Sequence, residues 1–191
     1  MKKIFSIIIV LLSFMVQSCV ITQEYTINKD LSGSSVLTFD FSKFNDAIGN
    51  YYQDSSKNEF FDTLRNGFNE IFKDKNQYKN LKYREKSTGV FEVSYDFDNF
   101  ANPENGTTID VNGKTMTISL YSLSNAEETK EILELANDES LFEMNVIFHF
   151  DRIIKKVSVE NAEISSDKKT VKIKNSITKF PYENITIQFK K

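Results

Sequence analysis

The chain has 191 residues, with 24 Lys plus Arg against 27 Asp plus Glu, and it contains one cysteine, one histidine and no tryptophan. This length is enough for one domain with a sizeable core, and the mildly acidic balance argues against nucleic-acid binding, which needs a concentrated basic face. Only 2 prolines and 6 glycines, together with 13% aromatic residues, also exclude a low-complexity or disordered chain.

The first residues have the layout of a secretory signal. Lys2 and Lys3 form a short positive region, and an uninterrupted, mostly apolar run follows over residues 4–16. That run is too short for a permanent membrane helix of roughly 20 residues, and polar sequence follows it directly. Residues 1–18 are therefore predicted to be a signal peptide.

The end of this signal carries a more specific motif. Val16-Gln17-Ser18-Cys19 resembles the lipobox of bacterial lipoproteins, in which a small residue precedes an obligatory cysteine. The resemblance implies cleavage between Ser18 and Cys19, a diacylglyceryl group on the Cys19 thiol, and a further acyl chain such as palmitate on the new amine. Gln17 departs from the small residues common at its position. The sequence thus predicts a single domain over 19–191, tethered through Cys19.

The acyl chains are the predicted contact with the membrane. Each buried methylene contributes about 0.8 kcal/mol, so two or three chains on one cysteine hold a domain almost permanently. Loss of Lys2 and Lys3 leaves 22 basic against 27 acidic residues, a net −5, which is unfavourable for electrostatic docking on anionic lipid. Some lipoproteins are retained in the inner membrane by an Asp directly after the lipidated cysteine. Val20 occupies that position here, which favours the outer membrane. Whether the domain faces the periplasm or the cell exterior stays open.

A β-hairpin is predicted directly after Cys19. Residues 20–28 and 35–41 alternate between apolar and polar side chains, as a half-buried strand does. The polar segment 29–34 between them contains Gly33, which we expect to be the residue with positive φ in the turn.

Helical spacing is predicted next, over 42–52 and more clearly over 56–73. Ser56 and Glu59 form a capping box ahead of an apolar stripe. The stripe comprises Phe60, Phe61, Leu64, Phe68, Ile71 and Phe72. Two interpretations stay open, because the sequence cannot separate a helix that covers a filled core from one that lines a cavity for an acyl chain or another amphiphile.

Alternating sequence returns in the rest of the chain. Strands are expected over 78–85, 90–97, 107–111, 114–120, 142–150, 155–164, 170–174 and 184–189. Asn112-Gly113 is the strongest short hairpin signal, with positive φ expected at both residues. A second capping box, Ser124 and Glu127, opens a predicted helix over 124–137. The pattern predicts an α+β fold: one domain of antiparallel sheet with about 8–10 short strands and two or three helices packed on one face.

Residues that could carry chemistry are few. His149 lies on the polar face of a predicted strand, which favours a structural role, and no nucleophile or nucleotide-binding motif accompanies it. Asp96, Asp98 and Glu104 could coordinate calcium, but their spacing does not fit an EF-hand loop and Phe100 occupies a ligand position. We therefore expect no cofactor, no metal site and no enzymatic activity.

A family resemblance rests on Cys19, on residues 25–34 and on residues 156–171. These segments resemble uncharacterised envelope lipoproteins common in the Bacteroidota and, more distantly, LppM-like lipoprotein domains. The resemblance implies an envelope α+β domain and transfers no active-site residue.

Two classes of function follow from the sequence. The first is a non-catalytic binding or assembly module, tethered to the envelope and in contact with other envelope proteins or lipids. The alternative is a carrier or sensor of lipids or amphiphiles, with its cavity under the Phe-rich helix 59–73. An enzyme ranks behind both.

Overall fold

The computed structural model describes residues 19–42, 62, 66, 79–101, 108–119, 142–176 and 184–190. The described part consists mainly of β-strands and turns. The strands are β1 (Cys19–Ile27), β2 (Gly33–Asp40), β3 (Lys79–Ser87), β4 (Val90–Phe97), β5 (Thr108–Asn112), β6 (Thr115–Ser119), β7 (Phe142–Phe150), β8 (Ile154–Val157), β9 (Ala162–Ile164), β10 (Thr170–Ser176) and β11 (Ile185–Phe189). The predicted strands agree with these to within two residues at most ends, and the predicted strand 155–164 divides into β8 and β9.

Seven strands form one sheet in the order β3-β4-β2-β1-β7-β10-β9. Neighbours are antiparallel except β1 and β7, which are parallel over their full lengths from Cys19 opposite Phe142 to Ile27 opposite Phe150. The central strand β1 and its neighbour β7 therefore run in the same direction.

The other four described strands form a second sheet in the order β5-β6-β11-β8, and all its pairs are antiparallel. Successive side chains on a strand point to opposite faces, so Ile185, Ile187 and Phe189 on β11 share one face. All three are buried, as are Met116 and Ile118 on β6.

The main core lies between the two sheets. Buried side chains of both sheets belong to one apolar cluster, and the rings of Phe150 and Phe189 meet edge to face across it with centroids 5.1 Å apart. The cluster comprises Ile27, Phe100, Met116, Ile118, Val146, Phe148, Phe150, Ile154, Val171, Ile173, Ile185, Ile187 and Phe189. Sheet-on-sheet packing of alternating faces is the arrangement of a β-sandwich.

The predicted α+β fold is wrong for the described part of the chain. A continuous helix is absent there, and the layer that covers β1, β7 and β10 is a second sheet. The predicted helical segments 42–52, 56–73 and 124–137 fall almost wholly outside the described residues. An alternating pattern shows that one face of a strand is buried, but it does not show to which of two sheets the strand belongs. All strands were therefore placed in one antiparallel sheet, and the predicted helices were the only elements that could cover it.

Two predicted turns also differ from the structure. In the first hairpin Leu31 has positive φ, at 66°, whereas Gly33 is the first residue of β2. In the second, Asn112 pairs with Thr115, so Gly113 and Lys114 form the turn. Positive φ occurs there at Gly113, at 60°, and not at Asn112. Glycine at the first central position is the pattern of a type II′ turn.

Candidate functional site

Cys19, the residue predicted to carry lipid, is the first residue of β1. Its Cα pairs with that of Phe142, and the next residue, Val20, pairs with Asp40 on one side and Glu143 on the other. The predicted attachment point is thus joined directly to the centre of the seven-stranded sheet. The other predicted site residues lie outside the described residues: Ser18, Phe60, Phe61, Leu64, Phe68, Ile71 and Phe72.

A buried carboxylate lies on the polar face of the same sheet, the face that points away from the second sheet. Glu92 on β4 pairs directly with Arg84 on the edge strand β3. Its Oε1 accepts a hydrogen bond of 2.6 Å from Arg84 Nε, and its Oε2 lies 2.5 Å from Lys86 Nζ. The Glu92 side chain is 5% exposed, against 65% for Arg84 and 47% for Lys86. The two cations therefore shield a carboxylate that is itself almost removed from water.

The environment of Glu92 keeps it ionised. Burial alone raises the pKa of its carboxyl, but the hydrogen bonds and charges of Lys86 and Arg84 outweigh burial and hold the pKa below its ordinary value. A carboxylate with a lowered pKa is a poor proton donor or acceptor near neutral pH, so this cluster fits a structural role better than acid–base chemistry.

A second cluster of the same kind lies on β7 and β10. Glu143 Oε2 is 2.6 Å from Lys174 Nζ, and its Oε1 accepts a hydrogen bond of 3.0 Å from Asn145 Nδ2. The Lys174 hydrogen bond lowers the pKa of Glu143, and this effect exceeds the opposing effect of burial. Like Glu92, Glu143 binds a cation of a neighbouring strand.

The other residues considered for chemistry are also engaged locally. His149 is half-buried, and its Nδ1 lies 3.0 Å from Thr170 Oγ1 on β10. Asp96 accepts a hydrogen bond of 2.7 Å from Asn80 Nδ2, and Asp98 binds Lys79 Nζ at 2.5 Å.

No metal-binding group is found among the described residues. Within those ranges, no three His, Cys, Asp or Glu side chains come together in a way that could hold a metal ion. Phe100, next to the acidic loop considered for calcium, is buried, and its ring meets that of Tyr25 edge to face at 4.7 Å. The ring is part of the core.

The Glu92 cluster has no signal in the local sequence. Ser87 pairs with Val90, and an uninterrupted register from that pair would place Glu85 opposite Glu92. A register shift between Glu85 and Ser87 instead brings Arg84 opposite Glu92. Burial of Glu92 likewise depends on the whole sheet and cannot be predicted from the hairpin alone.

Among the residues that the structure describes, no helix is long and apolar enough to cross a membrane.

Comparisons with known proteins give one distant structural likeness. No protein-family model matches the chain, and no curated protein matches it. The NMR structure of the folded domain of LppM from Mycobacterium tuberculosis aligns with a TM-score of 0.42 and 8% identity, over 91% of this chain and 90% of that one. The resemblance to LppM-like domains is therefore a distant structural one that transfers no residue role. The predicted resemblance to Bacteroidota lipoproteins receives no support.

Proposed function

We propose that this protein is a bacterial envelope lipoprotein, anchored through acyl chains on Cys19. Its exported β-sheet domain is proposed to act as a non-catalytic binding or assembly module at the membrane.

The observation that carries the proposal is the position of the lipobox-like run relative to the first described strand. The lipobox-like run Val16-Gln17-Ser18-Cys19 ends at the residue where β1 begins. Cleavage before Cys19 would leave every described strand intact, because all eleven lie between Cys19 and Phe189. The cysteine would take lipid and, as the only one in the chain, leave no free thiol.

The non-catalytic part of the proposal is supported by the state of the acidic side chains near the sheet surface. Glu92, Glu143 and Asp98 each bind a lysine or arginine of a neighbouring strand. Such cross-strand pairs stabilise a sheet. The lowered pKa values of Glu92 and Glu143 also make these two carboxylates poor proton donors or acceptors near neutral pH.

Fractionation of cells that produce the full chain tests the anchor. The unchanged protein is expected in the membrane fraction, and Cys19→Ser is expected to be released or to remain as an unprocessed precursor. Gln17→Ala is the matched control, because a small residue there improves the lipobox and should preserve processing. Processing and membrane retention of Cys19→Ser would refute the proposal.

The same membranes test the location. Because Val20 is not the Asp of inner-membrane retention, we propose the outer membrane. Separation of the two membranes by density should place the protein in the denser, outer-membrane fraction. Recovery with the inner membrane would refute this location and leave the anchor itself standing.

A further inference from the structure

We infer that the anchored protein stands with one defined end of its seven-stranded sheet against the lipid bilayer. This inference rests on the proposed lipidation of Cys19. The anchor end is defined by Cys19, by residues 40–42 and 87–90, and by Phe142. The far end is defined by residues 28–32, 98–101, 151–153 and 165–169. The partner is the lipid surface itself.

The first argument is the length of the tether. Cys19 is both the proposed attachment residue and the first residue of β1, so no residue separates the lipid from the sheet. β1 is also a central strand, paired with β2 through Val20 and with β7 from Cys19 onward. A flexible linker would let the domain rotate freely relative to the membrane. Attachment without any linker residue instead fixes which end of the sheet approaches the bilayer.

Pairing on both sides also keeps β1 from lengthening the tether. Withdrawal of its first residues would break backbone hydrogen bonds to two neighbours at once, and each buried group left unpaired is costly. The strand therefore remains part of the sheet when the acyl chains enter the membrane.

The second argument is the distribution of charge between the two ends. The described far-end turns carry many charged side chains, and most of these residues are exposed. They are Lys29, Asp30, Asp98, Asp151, Arg152, Asp167, Lys168 and Lys169. At the anchor end, Asp40 carries a charge, and the described turn residues Phe41, Ser42, Thr88 and Gly89 carry none. Removing charge from water is unfavourable, so the far end belongs in solvent and the anchor end tolerates the lipid interface better.

The strand length sets the separation that an experiment must resolve. Eight steps from Cys19 to Ile27, at about 3.3 Å per residue, place the far end roughly 26 Å from the anchor end. This is close to the thickness of the hydrocarbon core of a bilayer, roughly 30 Å.

Fluorescence quenching by lipid tests the orientation. The full lipoprotein carries a single new cysteine at Thr88→Cys or Ser166→Cys, both exposed turn positions at opposite ends of the sheet. A thiol-reactive fluorophore then marks only the new cysteine, because lipid occupies Cys19. In phosphatidylcholine vesicles with a nitroxide on the headgroup, quenching should be at least about three-fold stronger at position 88, given the roughly 26 Å separation. Equal quenching, or stronger quenching at position 166, would overturn the inference.

A linker variant separates orientation from anchoring. A flexible Gly/Ser insert of about ten residues between Cys19 and Val20 adds a tether of roughly 16–19 Å. The variant should remain on the vesicles while the difference between positions 88 and 166 largely disappears. An unchanged difference would show that tether length does not set the orientation, and would overturn the inference. Failure of the proposed function is distinguishable, because labelled protein would then not remain on the vesicles at all.

Discussion

Gly33 and Gly113 are both required by the fold, for different physical reasons. A Cβ on Gly33 would lie 1.8 Å from the carbonyl oxygen of Thr26 and 2.9 Å from Cζ of Phe97, so a side chain would collide with the backbone of β1. A Cβ on Gly113 would meet nothing within 4 Å, but its φ of +60° is strained for any L-residue. Close strand approach requires the first glycine, and turn conformation requires the second.

This difference predicts unequal effects of one added methyl group. Gly33→Ala should lower the free energy of unfolding by about 3 kcal/mol or more, at or beyond the upper end of the range for overpacking, because the blocking atom is backbone. Gly113→Ala, the matched control, should cost roughly 1–2 kcal/mol from its backbone conformation alone. Urea denaturation of both variants measures the two values. A smaller loss for Gly33→Ala than for Gly113→Ala would contradict the close contact.

The turn before Gly33 shows why glycine was a poor guide to backbone conformation here. Asp30 Oδ1 accepts hydrogen bonds from the N–H and the hydroxyl of Ser32, at 3.1 and 2.6 Å. The Ser32 hydroxyl, followed by its N–H, lowers the pKa of Asp30. This side chain organises the turn and leaves Leu31 with positive φ. The expectation of positive φ at Gly33 was therefore wrong. Glycine is needed at this position because the backbone of the neighbouring strand β1 approaches too closely for a side chain.

Among the structural elements, the stability of the β3–β4 hairpin depends on two cations that contact one carboxylate. Glu92 is nearly inaccessible to water and contacts both Arg84 and Lys86. Loss of one cation leaves the other in place, whereas loss of both leaves a buried carboxylate with no counter-charge from the described residues.

The double variant Arg84→Met/Lys86→Met should therefore lose far more stability than either single variant. We expect roughly 3–5 kcal/mol for the double variant and under about 1 kcal/mol for each single one, measured by urea denaturation at neutral pH. Lys79→Met on the same strand is the control, because Lys79 and Asp98 form an exposed pair and should contribute about 0–1 kcal/mol. Additive single and double effects would show that Glu92 does not depend on the two cations.

The pH dependence of that loss follows from the pKa of Glu92. In the native protein this pKa lies below its ordinary value of 4.5, so the stabilisation is present above that value and is lost as the pH falls through the folded-state pKa. Without the cations, burial alone acts and raises the pKa, so acidification lets Glu92 become neutral and relieves the penalty. The stability difference between the double variant and the unchanged protein should thus shrink as the pH falls from neutral toward 4.5. A difference that grows on acidification would contradict this account.

In the molecule as a whole, the local sequence predicts where the strands lie but does not predict which strands pair with each other. Alternation in 90–97 and 142–150 reproduces the bounds of β4 and β7, because an alternating face reflects local geometry. Parallel pairing of β1 with β7 joins residues more than 120 positions apart, and no local pattern encodes it. The division into two sheets has the same origin, since β6 and β11 alternate just as the strands of the larger sheet do. The same holds for the candidate site. The motif at Cys19 can be recognised in the sequence, but the position of Cys19 in a central strand cannot be predicted from it.

The packing of the two sheets depends on Phe189. Its ring meets Phe150 of the larger sheet at 5.1 Å, and the guanidinium carbon of Arg152 lies 3.9 Å from its centroid. Phe189→Ala should leave a cavity between the sheets and lower the free energy of unfolding by roughly 3–5 kcal/mol. Phe189→Leu retains most of the volume and should cost less than about 1.5 kcal/mol. Similar, small losses for both variants in urea denaturation would show that this ring does not hold the sheets together.

Lipidation of Cys19 would join the membrane anchor directly to the first strand of the sheet. Intact-mass and N-terminal peptide measurements on protein extracted from membranes decide whether this modification occurs. We expect a mature chain that begins at Cys19 and carries the added mass of a diacylglyceryl group, with or without a further acyl chain. A mature protein that begins at another residue, or one that begins at Cys19 with an unmodified thiol, would refute the proposed lipid anchor.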